Sequence, residues 1–172
     1  MVASCLCWEA LESPPRKRVG RKEVPVSEEN KALVRRQEEE LFSGGNLDVA
    51  DEIYAPDYVG HDPSNLEDVR GLQAAKQAAS DYRQAFPDLH VSVEDLIAEG
   101  NRVAARLRFR GTHLGELDGI APTGRRVDCT GIVVSRIEEG KIAEDWANFD
   151  DLGMMRQLGL IPEPGQRHPT TS

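Results

Sequence analysis

The period of the sequence changes after Pro87, and this constrains the fold more than any other feature. Over residues 89–113, LHVSVEDLIAEGNRVAARLRFRGTH alternates apolar and polar side chains, with Gly100 and Asn101 placed to turn one strand into the next. Over residues 125–149, RRVDCTGIVVSRIEEGKIAEDWANF repeats the pattern around Glu139, Gly140 and Lys141. Upstream the signals are helical. GLQAAKQAASDYRQAFPD is alanine-rich, lacks β-branched residues and is closed by Pro87. Ser27 can cap an earlier helix that carries Glu28 and Glu29 in its first turn and stops at Ser43-Gly44-Gly45. NLDVADEIYA groups Leu47, Ala50, Ile53 and Tyr54 before Pro56, and DYVGHDP reads as a short extended segment ending in a turn. Helices followed by a meander of antiparallel strands predict an α+β fold, its helices packed on one face of a sheet.

At 172 residues the chain suits one domain, expected over 27–161. The leader 1–26, with Arg16, Lys17, Arg18, Arg21 and Lys22 among prolines, is expected to be solvated and disordered. The tail 162–172 is expected to be loose. A net charge of -9 and a pI near 5.0 argue against nucleic acid or an anionic membrane as partner. No apolar run approaches the roughly 20 residues that span a bilayer. Three cysteines, an odd count without repeating spacing, read as reduced thiols, and the opening lacks a basic n-region, so the cytoplasm is the expected compartment. Cys5 and Cys7 are one residue apart, unlike a zinc or redox pair. No phosphate loop or zinc cluster is seen, so neither metal nor cofactor is expected.

Strand parity sorts the side chains. Val103, Ala105, Leu107 and Phe109 take the inner face, continuing to Gly111 and His113, and Arg102, Arg106, Arg108 and Arg110 take the outer one. Leu89, Val91, Val93, Asp95 and Ile97 are likewise read as inner. In the last hairpin both faces are apolar. Trp146, the large member, is expected to choose the inner side and bring Glu144 and Asn148 with it. Polar groups on an inner face imply a wet cavity between sheet and helices. The outer arginines need acids, from Glu94 or from a second copy of the chain. The excursion GTHLGELDGIAPTGRRVD places His113 and Asp128 near its ends, as surface residues beside a loop or as the rim of a pocket that does proton chemistry.

That excursion, followed by SRIEEGKIAEDWANFDDLGMMRQLG and preceded by YVGHDP at residues 58–63, resembles the SnoaL-like polyketide cyclases, or ester cyclases, over roughly residues 30–160. These belong to the nuclear-transport-factor-like superfamily, with the ketosteroid isomerases. The resemblance implies a cone-shaped α+β barrel, in which a curved antiparallel sheet wraps around N-terminal helices and encloses a mostly apolar pocket. It also implies an intramolecular aldol closure of an apolar polycarbonyl molecule without metal or organic cofactor, in a homodimer paired through the sheet. It carries the acid/base carboxylate to Asp128 and its partner to His113, with His61, Trp146, Asn148, Asp150 and Phe109 as pocket residues. An exposed aspartate, with a reference pKa of about 3.9, is a feeble base at neutral pH, so this chemistry needs a buried one. Other readings stay open. Asp128 could pair with Arg125 or Arg126, His113 could bond the turn backbone, and Asp150 could cap a helix. The whole could be a non-catalytic binding domain, or an epoxide-hydrolase-like enzyme with an Asp-Arg-Asp set.

Overall fold

A computed structural model describes residues 26–65 and 67–162. Apart from Val26 and Pro162, the expected leader and tail lie outside the described residues. Helix α1 (Val26–Arg36) opens on Glu28 and Glu29 and closes on Arg35 and Arg36, charges that suit the two ends of a helix dipole. The chain then widens into a π-helical segment, Gln37–Ser43, and leaves it through Gly45 in the left-handed region (φ +70°). After the short helix α2 (Val49–Ile53) come β1 (Tyr54–His61), β2 (Val69–Arg70) and α3 (Gly71–Ala85). The meander follows as β3 (His90–Glu99), β4 (Arg102–Thr112), β5 (Arg126–Glu138) and β6 (Lys141–Phe149), and α4 (Asp151–Gln157) ends the fold.

The α+β expectation is met by a single curved sheet of order β2-β1-β6-β5-β4-β3, unclosed, with β2 and β3 at its edges. Strands β3 to β6 pair antiparallel as the two hairpin signals require. The early extended segment differs from expectation. It enters the sheet as β1 beside β6, and parallel to it, from the Tyr54–Ile142 pair onward. That pairing ends α2 at Ile53, two residues before the helix expected to run through Ala55.

On β4 the parity reading holds: Val103, Ala105, Leu107, Phe109 and Gly111 are buried. Two β-bulges break it elsewhere. On β3 the register slips between Val93 and Asp95, so Leu96 pairs with Ala105 and Ala98 with Val103. Asp95 and Ile97, expected inside, therefore face outward, and Ile97 is 66% exposed. Between β5 and β6, Ile137 pairs with Ile142 but Arg136 pairs with Glu144, leaving Ala143 as the extra residue. The faces of β6 exchange there. Asp145 and Ala147 turn inward, across from Ser135 and Val133, and Phe149 lies inward against Gly131. Trp146 and Asn148 turn outward, which corrects their assignment to the inner face.

Phe86, fully buried at the end of α3, anchors the core against Phe109, edge-on at 5.1 Å, and the ring of His113 at 5.3 Å. Burying one such side chain stabilises by about 1.5–3 kcal/mol. The excursion after β4 docks here too. Leu114 and Gly115 both donate their N–H to the Ala85 carbonyl, at 2.9 and 3.0 Å. A Cβ on Gly115 would lie 2.1 Å from the Gln84 carbonyl oxygen, so the second glycine of GTHLG is a contact requirement. Among the described residues no helix is long and apolar enough to cross a membrane.

Candidate functional site

A cavity opens between the inner face of the sheet and the helices. Six aromatic side chains line it: Phe42 from the π-helical segment, Tyr54 and Tyr58 from β1, Tyr82 from α3, Phe109 from β4 and Phe149 from β6. Five carboxyl groups share the lining, those of Glu38, Asp62, Asp145, Asp150 and Asp151, with no lysine or arginine among the described residues there. Cys129 also lines it, but burial pushes its thiol up to about 11, so it is no ready nucleophile.

Asp145 is the organised acid of this cavity. It is 3% exposed and accepts hydrogen bonds at Oδ2 from Gln37 Nε2 (2.8 Å) and the Tyr58 hydroxyl (3.0 Å). Its Oδ1 and the buried Ser135 hydroxyl opposite make no hydrogen bond within the chain's described residues. Burial raises the pKa of Asp145, and its hydrogen-bond donors oppose the rise. The result is a carboxyl whose donors favour the anion and whose dry surroundings make that anion more basic. Tyr58 is itself kept neutral by burial and by the nearby Asp145 charge, so its hydroxyl remains a donor.

Glu38 is the second buried acid, also 3% exposed. The π-helical segment brings Gln37, Glu38 and Leu41 inward together, and Phe42 lines the cavity beside them. Burial first, then the charge of Asp145, pushes the Glu38 carboxyl up to about 8. At the rim, His61 is held between Asp68 (Nδ1, 2.9 Å) and Glu144 (Nε2, 2.9 Å) and stacks on Trp146 at 5.6 Å. These acids, Glu144 foremost, raise its pKa and favour its charged form.

The structure separates the pair expected to act together. Asp128 lies on the outer face, where Arg108 binds both its oxygens (2.6 and 2.8 Å) and Arg110 one of them (3.3 Å). The Arg108 guanidinium holds the Asp128 carboxyl below the usual carboxylate range, the reverse of what a base needs. This corrects its expected inward placement: it stands across from Arg110 on β4, whose outer face it shares. His113 does point inward and is fully buried, but the cavity lining does not include it. Its Nδ1 accepts the Thr123 N–H at 3.3 Å, so it ties down the excursion, while Nε2 is buried without a partner among the described residues. Trp146 is outward, half-buried, with the Arg102 guanidinium 5.0 Å from its ring centroid, and Asn148 is exposed. Phe109 lines the cavity, as do His61 and Asp150. Asp150 also caps α4, accepting the Gly153 N–H at 2.8 Å.

Asp128→Asn is accordingly expected to leave turnover unchanged, because the substituted group faces away from the cavity. Steady-state rates of the two proteins side by side check this, and a large loss would return Asp128 to the mechanism.

Sequence reasoning missed Asp145, Glu38 and Gln37. The signal for Asp145 was present in its alternation with Ala147 and Phe149, and the bulge at Ala143 hid which face was inner. Gln37 and Glu38 sit in the π-helical segment, where the wider turn adds a residue to the helical period and shifts which side chains face inward.

A curved α+β sheet around a cavity with buried carboxyls defines the class: small-molecule pocket proteins able to do acid/base work. Residues 32–158 match the SnoaL-like polyketide cyclase family, and the chain belongs to that family. It is 35% identical over 134 residues to the aklanonic acid methyl ester cyclase DnrD of Streptomyces peucetius, covering 74% of this chain and 88% of that one. It is 37% identical over 123 residues to the nogalonic acid methyl ester cyclase of Streptomyces nogalater, covering 69% and 89%. TsrD from Streptomyces laurentii superposes with a TM-score of 0.71 at 29% identity, over 78% of this chain and 97% of that one. Both methyl ester relatives are cyclases, and this chain is an enzyme of the cyclase type.

Proposed function

We propose that the chain closes a ring of an aromatic polyketide ester by intramolecular aldol addition, with Asp145 as the base. The observation that carries this reading is a buried, hydrogen-bonded carboxylate in an aromatic-lined cavity. Asp145 removes the proton from a carbon flanked by carbonyls. The resulting enolate is delocalised over the substrate, so little charge is left for the protein to stabilise, and stacking on the aromatic wall orients the reacting carbons. Five carboxyls, with no lysine or arginine among the described lining residues and with His61 already held between Asp68 and Glu144, favour a substrate whose acid end is masked as an ester. The curated relatives are named for such methyl esters. An epoxide-hydrolase set has no arginine to use here, since Arg106 and Arg108 are held outside by Glu94 and Asp128.

The test is incubation with aklanonic acid methyl ester and nogalonic acid methyl ester, resolving open and cyclised isomers by chromatography and proton NMR. Cyclisation by the wild type and its loss in Asp145→Asn is the expected result. Turnover of neither ester, or turnover indifferent to Asp145, would end the reading.

The homodimer through the sheet stays part of the proposal, as does the cytoplasm suggested by the cysteine count. Three of the four outer arginines find their acids within the chain, Arg106 at Glu94 and Arg108 and Arg110 at Asp128, and Arg102 lies over the Trp146 ring. Apolar side chains support the interface instead: Ile97, Ala104, Val134 and Trp146 follow one another across adjacent strands on the outer face. Light scattering is expected to return twice the 19.0 kDa chain mass. A single-chain mass at micromolar concentration would remove the dimer.

A further inference from the structure

Two acids in one cavity rarely share the same protonation state, and their surroundings decide which one keeps the proton. Asp145 receives hydrogen bonds from Gln37 and Tyr58, groups that stabilise an anion. Glu38 has the same burial, but only desolvation and the Asp145 charge act on its carboxyl, and both favour its neutral form. The titratable groups whose charges bear on this pair are Tyr54 and Tyr58, and burial keeps both neutral. The carboxyl therefore lies on the cavity wall as an O–H donor with no hydrogen-bonded partner among the described residues. The π-helical turn that carries it is a costly local irregularity of a kind that often marks functional positions.

We propose that Glu38 is the general acid of this site, donating a proton to the carbonyl oxygen of the substrate as the ring closes. The assignment rests on the cyclase reading above. In the reaction, Asp145 as carboxylate takes the proton from the nucleophilic carbon. The new carbon–carbon bond forms as the carbonyl π pair moves onto oxygen, and that oxygen takes the Glu38 proton. The site is left with a protonated Asp145 and an ionised Glu38. One proton passed from Asp145 to Glu38 restores the starting state, so substrate and product differ by no atom.

Glu38→Gln keeps the shape and a hydrogen-bond donor but has no proton to transfer. With aklanonic acid methyl ester, kcat is expected to fall about 10²-fold while KM changes little. In the wild type, kcat is expected to decline as pH rises through about 8, where Glu38 ionises. That alkaline limb is expected to be absent from the residual rate of Glu38→Gln. Unchanged kcat and pH profile in Glu38→Gln, with activity still lost in Asp145→Asn, would overturn the general acid and leave the base standing.

A second readout needs no turnover: binding of 1,8-dihydroxyanthraquinone, whose quinone carbonyl oxygens imitate the reacting carbonyl, followed by absorbance. Glu38→Gln is expected to bind it like the wild type, and Glu38→Leu, without a donor, about fivefold more weakly. Equal binding by all three proteins would remove Glu38 as a donor to the ligand. If the wild type cyclises neither ester, the cyclase reading fails and the proton transfer assigned to Glu38 fails with it. A retained difference in anthraquinone binding would then identify Glu38 as a ligand contact alone.

Discussion

Asp145→Asn is expected to lower cyclisation by about 10³-fold while leaving the fold intact. The substitution is nearly isosteric. It replaces a buried anion by a neutral amide whose oxygen still accepts from the Tyr58 hydroxyl, 3.0 Å from Oδ2 in the native chain. That same oxygen keeps the Gln37 Nε2 donor, which meets Oδ2 at 2.8 Å. The amide nitrogen takes the place of Oδ1, which has no partner within the described residues, and the buried Ser135 hydroxyl opposite, also without a partner, has the capacity to accept from it. Loss of activity is thus separable from loss of structure. Single-turnover rates measure the first and the thermal midpoint measures the second. The midpoint is expected to hold or rise, since the desolvation that raises the Asp145 pKa opposes the folded, ionised state. A variant that is stable and cyclises within about threefold of wild type would exclude Asp145 as the base.

The same substitution shows how much of the site could be read from sequence. The alternation of β4, the alanine-rich α3 and the two hairpin turns carried the α+β architecture, because each is a local pattern with a local cause. Asp145 needed one further fact, the bulge at Ala143, which leaves no mark in an alternation apolar on both faces. Without it, Trp146 looked like the inward residue and Asp145 the outward one. The bulge before Asp95 misplaced Ile97 in the same way. Asp128 was carried inward by resemblance alone, because the parity of β5 is apolar on both faces and does not say which is inner; the structure buries the opposite side, with Val127 and Cys129. The parallel β1–β6 pairing was not legible because it joins residues as far apart as Tyr54 and Ile142 and has no turn signal. Glu38 was hidden by the π turn, which shifts the helical period at the residues that face the cavity.

Glu38→Gln is expected to stabilise the folded chain, and to do so more strongly as pH rises. Glu38 ionises near 4.5 in the unfolded chain and near 8 in the folded one. Its raised folded value means that its full contribution to stability is present below about pH 4.5 and is lost as pH climbs toward 8. Between those limits the unfolded state releases its proton and the folded state does not. By pH 7 the accumulated loss is about 3 kcal/mol. The amide carries no such term. Asp145, also raised by burial, tilts the profile in the same sense, whereas Asp128, lowered by Arg108, loses its contribution only as pH falls through its own range. These groups are common to both proteins, so subtracting one profile from the other isolates Glu38. Urea unfolding at several values between about pH 5 and pH 8 is expected to show a gap that widens steadily toward the alkaline end. A gap independent of pH would mean that Glu38 titrates at its ordinary value and cannot hold a proton for the substrate. A widening gap would show the chain giving up stability at neutral pH to keep an acid group dry in its cavity, a sacrifice that selection tolerates where activity depends on it.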